Sequence, residues 1–345
     1  MAGPASRRTR RNLLRGGLAA SALFVVAAAI HRATTPPFSD AALVGAPDAT
    51  AGWVKNPANP VLGGALGTCF DVCLLRQAGV YQMWFSWRPR GSIALVESAD
   101  GVHWSQPRIA LAPAATGWEE AVNRPIVLRH EGIWHLWYTG QTATRSWIGH
   151  ATSANGLTWK RSSRFPVLSP TLAWEGPAVM CPDVLWDAQA GLYRMWYSGG
   201  NQNEPFAIGQ ATSRDGIHWS RGTAPIFSAD PAHAWEQNRV SACQVVQDQG
   251  WYLMFYIGFY DQYIAHIGLA RSRDGLTQWE RHPANPILRP GRSATAWDHD
   301  AVYKPFALPT PQGWMLWYNG RHGLVEQIGM ATHAGHDLGF PNPVA

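Results

Sequence analysis

No segment beyond the N-terminus carries the 3.6-residue apolar period of an amphipathic helix, which excludes a helical core. Cysteine is scarce: Cys69, Cys73, Cys181 and Cys243 are the only four in 345 residues, and they match no zinc-binding spacing. Cys69 and Cys73 stand four apart on a predicted strand, about 13 Å at extended rise, too far to bond each other. The four read as small apolar filling of inner strands, the alternative being a thiolate or metal cluster near an axis. Histidine spacing offers no ligand set either, so His150, His266 and His299 read as hydrogen-bonded packing residues. No cofactor or metal is implied.

A basic excess is also missing from the body of the chain. The formal charge is +5, from 28 basic and 23 acidic residues. Arg7, Arg8, Arg10, Arg11 and Arg15 all lie in the first thirty residues, and setting those five aside leaves 23 basic against 23 acidic. The remainder is neutral overall, which argues against a nucleic-acid partner. A long hydrophobic run is lacking too: the uncharged stretch from Gly16 to Ile30 has fifteen residues, short of the roughly 20 that cross a bilayer. With Arg10-Arg11 ahead of it and Ala27-Ala28-Ala29 as a small-residue cleavage site, this segment reads as a twin-arginine-like export signal, or else as an uncleaved anchor. The expected organisation is therefore a signal or anchor plus linker over 1–37 and one domain over 38–345, a monomer outside the cytoplasm that meets the membrane only through its N-terminus.

What the sequence does have is a repeated phrase. Ser98-Ala99-Asp100-Gly101-Val102-His103-Trp104 returns as Ser153-Ala154-Asn155-Gly156-Leu157-Thr158-Trp159 and as Ser213-Arg214-Asp215-Gly216-Ile217-His218-Trp219. A fourth copy, Ser272 to Trp279, is one residue longer, and a fifth around Thr332-His333-Ala334-Gly335 lacks the tryptophan. The copies recur every 55–60 residues or so, which implies five similar β units. The Asp-Gly or Asn-Gly pair suits a tight turn that needs positive φ, and the tryptophan starts a return strand. Ahead of each phrase lies an aromatic strand, such as Tyr81-Gln82-Met83-Trp84-Phe85 or Tyr193-Arg194-Met195-Trp196-Tyr197, and ahead of that a further strand. Four strands per unit, joined by Gly, Pro and Asn turns, with 12% aromatic and 15% charged residues, read as all-β propeller blades.

In such a fold the first strand of every blade lines a central channel, so residues distant in sequence converge on one pocket. Counting thirteen residues back from Trp84, Trp137, Trp196, Phe255 and Trp317 gives Asp71, Arg124, Asp183, Ala242 and Lys304. Four charges at five equivalent positions, inside apolar strands, are seldom buried without a partner or a task. They read either as salt bridges that close the channel or as a polar pocket. A second signal is an aromatic followed by an acid, in Trp118-Glu119, Trp174-Glu175, Trp235-Glu236 and Trp297-Asp298. Glu119, Glu175 and Asp298 read as a structural device that accepts backbone hydrogen bonds. Glu120, Glu236 and Asp300 are the candidates for the channel mouth, with Arg239 as a further cation, and Trp87 and Trp147 could offer faces to sugar rings.

The five units, the Ser-x-Asp-Gly-x-x-Trp phrase and the Asn59-Pro60-Val61-Leu62 and Asn285-Pro286-Ile287-Leu288 openings resemble the five-bladed β-propeller glycosidases, the superfamily of glycoside hydrolase families 43, 32 and 130. The resemblance implies four-stranded antiparallel blades around a channel, and hydrolysis of a glycosidic bond in a poly- or oligosaccharide. It places a base or nucleophile on the first inner strand, where Asp71 stands. Those relatives add an aspartate in the second blade and a glutamate in the third, whereas this chain has Arg124, with Glu120 four residues earlier, and Asp183. Glycoside cleavage needs one carboxylic acid and one carboxylate, and Asp71 with Asp183 is the expected pair. Coming from non-adjacent blades, they favour the wider separation of inverting enzymes, about 6.5–9.5 Å against about 5–5.5 Å for retention. Arg124 or Lys304 would hold one carboxylate ionised while burial raises the other. The competing readings are a carbohydrate-binding propeller without catalysis, and a phosphorylase or transferase with phosphate held by Arg124, Arg239 and Lys304.

Overall fold

The computed structural model describes residues 47–341, and within them the protein is all-β, broken only by short 3-10 turns. The export or anchor segment expected over residues 1–37 lies outside the described residues. After β1 (Trp53–Lys55) the chain runs through antiparallel sets, the first being β2 (Cys69–Gln77), β3 (Val80–Trp87), β4 (Ser92–Ser98) and β5 (Arg108–Leu111). The next is β6 (Ala121–His130), β7 (Ile133–Gln141), β8 (Ser146–Ser153) and β9 (Lys160–Arg161). Then come β10 (Ala178–Asp187), β11 (Leu192–Asn201), β12 (Glu204–Ser213) and β13 (Ser220–Arg221), with β14 (Phe227–Ser228) also on β12. A further set is β15 (Arg239–Asp248), β16 (Trp251–Phe259), β17 (Ala265–Ser272) and β18 (Glu280–Arg281). The last is β19 (Ala301–Thr310), β20 (Gly313–His322) and β21 (Val325–Ala334), completed by β1 as its fourth strand. One parallel pair, Ala178 with Ser146, links β10 to β8 and merges two sets into a nine-stranded sheet.

The strand β1 accounts for the degenerate fifth phrase. In three earlier sets the return strand begins one residue after the tryptophan, at Lys160, Ser220 and Glu280. In the first set it begins later, at Arg108. Among the described residues no return strand follows β21, because β1 already occupies its edge in the register Trp53 to His333 and Lys55 to Ala331. The phrase itself is a side-chain-capped turn: Ser213 Oγ accepts from the Gly216 amide at 2.8 Å, and Asp215 Oδ1 accepts from the amides of Ile217 at 2.9 Å and His218 at 2.8 Å. Its glycine carbonyl then takes the indole N–H of a fully buried tryptophan from another set, Trp137 on Gly216 at 2.8 Å, Trp196 on Gly275 at 2.9 Å and Trp317 on Gly101 at 2.9 Å. The repeat therefore ties sets together as well as turning the chain.

Each first strand carries a bulge at the same place. Asp71, Arg124, Cys181, Ala242 and Lys304 have φ of 54°, 53°, 53°, 39° and 49°, in the left-handed region that non-glycine residues rarely occupy. At each the register against the second strand slips. The backbone N–H freed by the slip is taken up by a neighbouring set: Asn319 Oδ1 accepts from Asp71 at 3.0 Å, Ser86 Oγ from Arg124 at 2.8 Å, Thr139 Oγ1 from Cys181 at 3.0 Å and Ser198 Oγ from Ala242 at 2.8 Å. Contacts run from β2 to β6, β6 to β10, β10 to β15, β15 to β19 and β19 back to β2.

The bulges correct one sequence alignment. Asp183 is not the counterpart of Asp71: it pairs with Trp196 as Cys73 pairs with Trp84 and Gln244 with Phe255, two residues beyond the bulge. The cause is the hairpin that follows. Partners Asp187 and Leu192 enclose four residues, whereas Gln77 and Val80 enclose two, so counting back from Trp196 stops two residues short of the bulge. Residues at the Asp183 position staple one first strand to the next. Cys73 Sγ accepts from Val127 N at 3.2 Å, Asp183 Oδ2 from Val245 N at 2.8 Å, and Gln244 exchanges two hydrogen bonds with Ala307 at 2.6 and 2.9 Å. All four cysteines are buried and free.

A second correction concerns Glu236. Its carboxylate is fully buried and accepts from Tyr256 Oη at 2.7 Å and from Arg281. Glu119 does the same with Tyr138 at 3.0 Å and Arg161 at 2.8 Å, Glu175 with Tyr197 at 2.7 Å and Arg221 at 2.9 Å, and Asp298 with Tyr318 at 3.4 Å and Lys55 at 2.6 Å. Each acid joins the chain ahead of a first strand to a tyrosine of the second and a cation of the fourth. Glu236 belongs to this tie and not to a channel mouth. Only the Glu175 copy also takes backbone amides, from Thr171 at 2.8 Å and Leu172 at 3.0 Å.

Two outcomes are expected from these features. A methyl at Gly216 (φ 74°) would lie 2.8 Å from Trp137 Cζ2. Gly216→Ala should therefore cost about 1–3 kcal/mol in denaturant unfolding, against little change for Gly222→Ala, whose nearest atom is 4.0 Å away. Burial raises the Asp183 carboxyl from 3.8 to about 7 against the opposing Val245 hydrogen bond and Lys304 charge. Between about pH 4 and 7 the unfolded chain then releases this proton while the native state keeps it, so stability falls as pH rises. Relative to Asp183→Asn, the wild type should lose up to roughly 4 kcal/mol across that window. A difference between the two proteins that stays constant from pH 4.5 to 8 would show that Asp183 is ionised throughout.

Candidate active site

The five bulge residues stand at equivalent points of the five first strands, which contact one another in turn, and their chemistry divides them into two groups. Cys181 and Ala242, with Met180, Ile257 and Ala265, form a small apolar cluster flanked by Phe259 and Tyr303. Asp71, Arg124 and Lys304 form the charged side. Asp71 is buried, with 4% of the residue exposed. Its Oδ2 accepts from Ser86 Oγ at 3.3 Å and lies 3.8 Å from Arg124 Nε. Ser86 thus serves twice, capping the Arg124 bulge and touching the carboxylate of the preceding one.

Two residues that the sequence reading missed complete this side. Glu326, next to the start of β21, accepts from Arg88 Nη2 at 2.7 Å and Nε at 3.2 Å, and from the Tyr303 hydroxyl. Burial alone would raise its pKa, but Arg88, the Tyr303 hydrogen bond and Arg321 outweigh burial and hold it below the ordinary carboxylate range. Asp71 moves the other way: burial pushes it up, the positive charges of Arg124 and Lys304 pull against the rise, and the negative Glu326 adds to it. One carboxylate poised upward beside another held ionised is an arrangement able to divide proton transfer from charge stabilisation. Arg88 and Glu326 escaped notice because they sit on a turn and a third strand, whereas the repeat made only first strands comparable.

The remaining candidates spread around this centre. Arg124 Nη1 donates to Asn123 Oδ1 at 2.8 Å, and Asn123 in turn donates to Gln141 Oε1 at 2.8 Å. Lys304 is 3% exposed. Arg239 is buried at the start of β15, where it donates to Asn238 Oδ1 at 3.0 Å and Gln262 O at 2.9 Å and covers the Phe259 ring at 4.2 Å. Asp300 accepts from Gly323 N at 2.7 Å and so fixes the turn between β20 and β21. Trp87 ends β3 half-buried, its indole N–H on Leu66 O at 2.8 Å and Arg90 over its ring at 5.4 Å. Glu120 is exposed one residue ahead of β6, and none of the Asp71 contacts reaches it among the described residues. Of the histidines, His150 bonds His135 at 3.1 Å and Ser162 at 2.9 Å, and His299 bonds Gly291 O at 3.1 Å, which are packing contacts.

Comparison with known proteins places this geometry. The model of glycosyl hydrolases family 43 matches residues 57–337. Two curated proteins of Mycobacterium tuberculosis, the uncharacterized protein Rv1502 of strain H37Rv and MT1551 of strain CDC 1551, are each 33% identical over 184 residues. That match covers 49% of this chain and 57% of each relative, so the chain spans little more than half of their length. Among solved structures, a thermostable family-43 glycoside hydrolase superposes with a TM-score of 0.64 at 17% identity, over 84% of this chain and 99% of its own. An exo-1,5-alpha-L-arabinanase from a bovine ruminal metagenomic library gives 0.63 at 15%, over 81% and 98%. A glycoside hydrolase family 130 structure, from a family described as mannoside phosphorylases containing hydrolases of beta-1,2 mannosidic linkages, gives 0.66 at 17%, over 86% and 98%. At these identities the structures share a fold, and the sequence model carries the lineage: the chain belongs to glycosyl hydrolases family 43.

Proposed function

We propose that this protein is an exported glycoside hydrolase that cleaves a glycosidic bond in a poly- or oligosaccharide, within the channel of a five-bladed propeller. The observation that carries the reading is the Asp71 carboxylate, held at a strained bulge by Ser86 and flanked by Arg124, in a chain of family 43. A nucleophile or base must be ionised when it acts, and the cations around Asp71 oppose the burial that would protonate it. The export part of the reading rests on the arginine-rich and apolar residues 7–30.

Asp183 leaves the catalytic pair, since its carboxylate is committed to Val245 N. Glu326 is held ionised by Arg88 and Tyr303, which suits a fixed negative charge near an oxocarbenium-like transition state better than a proton donor. Glu120, exposed one residue ahead of the first strand β6, is assigned the acid. Phe259 and Tyr303, half-buried against the apolar cluster, would take a sugar face, and Trp87 another at the edge.

Asp71→Asn should lower turnover by roughly 10²–10⁴-fold with the circular dichroism of the wild type retained, measured across plant and bacterial polysaccharides and aryl glycosides. Undiminished turnover would remove Asp71 from the mechanism, and binding without turnover in both proteins would favour a non-catalytic sugar-binding propeller. Glu120→Gln should harm substrates with poor leaving groups by at least tenfold more than nitrophenyl glycosides, because only the former need protonation. Equal losses on both substrate types would return Glu120 to the surface and reopen Glu326.

A further inference from the structure

A lysine buried to 3% exposure usually has a carboxylate in contact, and Lys304 has none. Among the described residues its ammonium makes no hydrogen bond and no ion pair within 4.0 Å, although its charge is felt at Asp71, Asp183, Cys73, Cys181 and Cys243. Those five residues come from β2, β10 and β15, so the ammonium lies where the first strands converge. Holding an ammonium here without a counter-charge in contact carries a desolvation cost that a Met or Leu would not incur.

The carboxylates nearby are already committed elsewhere. Asp71 faces Arg124 and Ser86, Asp183 receives Val245 N, and Glu326 is paired with Arg88 and Tyr303. The charged side thus holds Arg88, Arg124 and Lys304, with Arg321 beside Glu326, against carboxylates whose contacts are taken. The surplus is positive and its least satisfied member is Lys304.

We propose that Lys304, together with Arg124, receives an oxyanion carried into the site, a phosphate or a carboxylate belonging to the substrate or co-substrate. The inference rests on the site assigned above and narrows its ligand from any glycan to one that is anionic or that reacts together with an anion. An ammonium recognises such a group as a point charge, and Arg124 can add a directional N–H contact.

The test measures binding on the full-length protein, at constant ionic strength set with sodium chloride. Inorganic phosphate, glucuronate and glucose are titrated by calorimetry and by thermal unfolding, on the wild type, Lys304→Met and Lys304→Arg. The expected result is that phosphate or glucuronate, and not glucose, binds the wild type and raises its Tm with concentration. Lys304→Met should bind at least tenfold more weakly, and Lys304→Arg should retain part of the effect. A response to phosphate alone would identify a free or esterified phosphate, and one to glucuronate alone an acidic glycan; either supports the assignment. Equal binding by wild type and Lys304→Met, or no anion binding by the wild type, overturns it, and the second outcome is decisive even if a variant does not fold. Anion binding without turnover of any glycan would remove the hydrolase reading and leave the receptor standing. Turnover of neutral glycans without anion binding would do the reverse.

Discussion

The architecture depends on a backbone group that a strand would ordinarily pair and that here is handed to a neighbouring set of strands. At residues 71, 124, 181 and 242 the chain turns left-handed, loses its register, and donates its N–H to Asn319, Ser86, Thr139 or Ser198. The strain of a non-glycine residue at positive φ, of order 1–3 kcal/mol, is sustained only when surrounding structure over-determines it, and the acceptor from the neighbouring set does that. Where Ile257 stands at the position of Ser86 and Ser198, it has no oxygen to offer the Lys304 bulge.

Two kinds of buried charge follow from this frame, and they differ in how fully they are satisfied. The acid of each Trp-Glu or Trp-Asp pair is matched by one tyrosine and one arginine or lysine, which closes its hydrogen bonding. A buried pair of this sort is weak evidence for added stability, yet losing one partner is costly. Around Asp71 the pairing is looser: a 3.8 Å approach to Arg124, a 3.3 Å bond from Ser86 and an unmatched Lys304. Incomplete satisfaction separates the site from the scaffold in a molecule that uses the same residue types for both.

Much of this was legible in the sequence because turn chemistry is local. The Ser-x-Asp-Gly phrase located the turns, the aromatic strands located the second strands, and counting back found four bulge residues correctly. It failed at Asp183 because the intervening hairpin is two residues longer, a change that no strand pattern reports. Glu236 was misassigned although its Trp235 marked it as a member of the repeated tie, the repeat being the better guide. Glu326 and Arg88 were invisible for another reason: Glu326 acts on Asp71 from the last set and Arg88 from the turn after β3, neither at the first-strand position that the repeat makes comparable, so no spacing reports them.

The pairing of β1 with β21 also sets a timetable. Lys55 and Ala331 are partners, yet 276 residues separate them along the chain. At a synthesis rate of roughly 5–20 residues per second, β1 leaves the ribosome about 14–55 s before its partner exists. During that interval Trp53, destined to be 3% exposed against Phe255 and His333, has no sheet to enter. Completion of this sheet therefore waits until β21 has been made, so the earliest of the described strands is among the last to find its place.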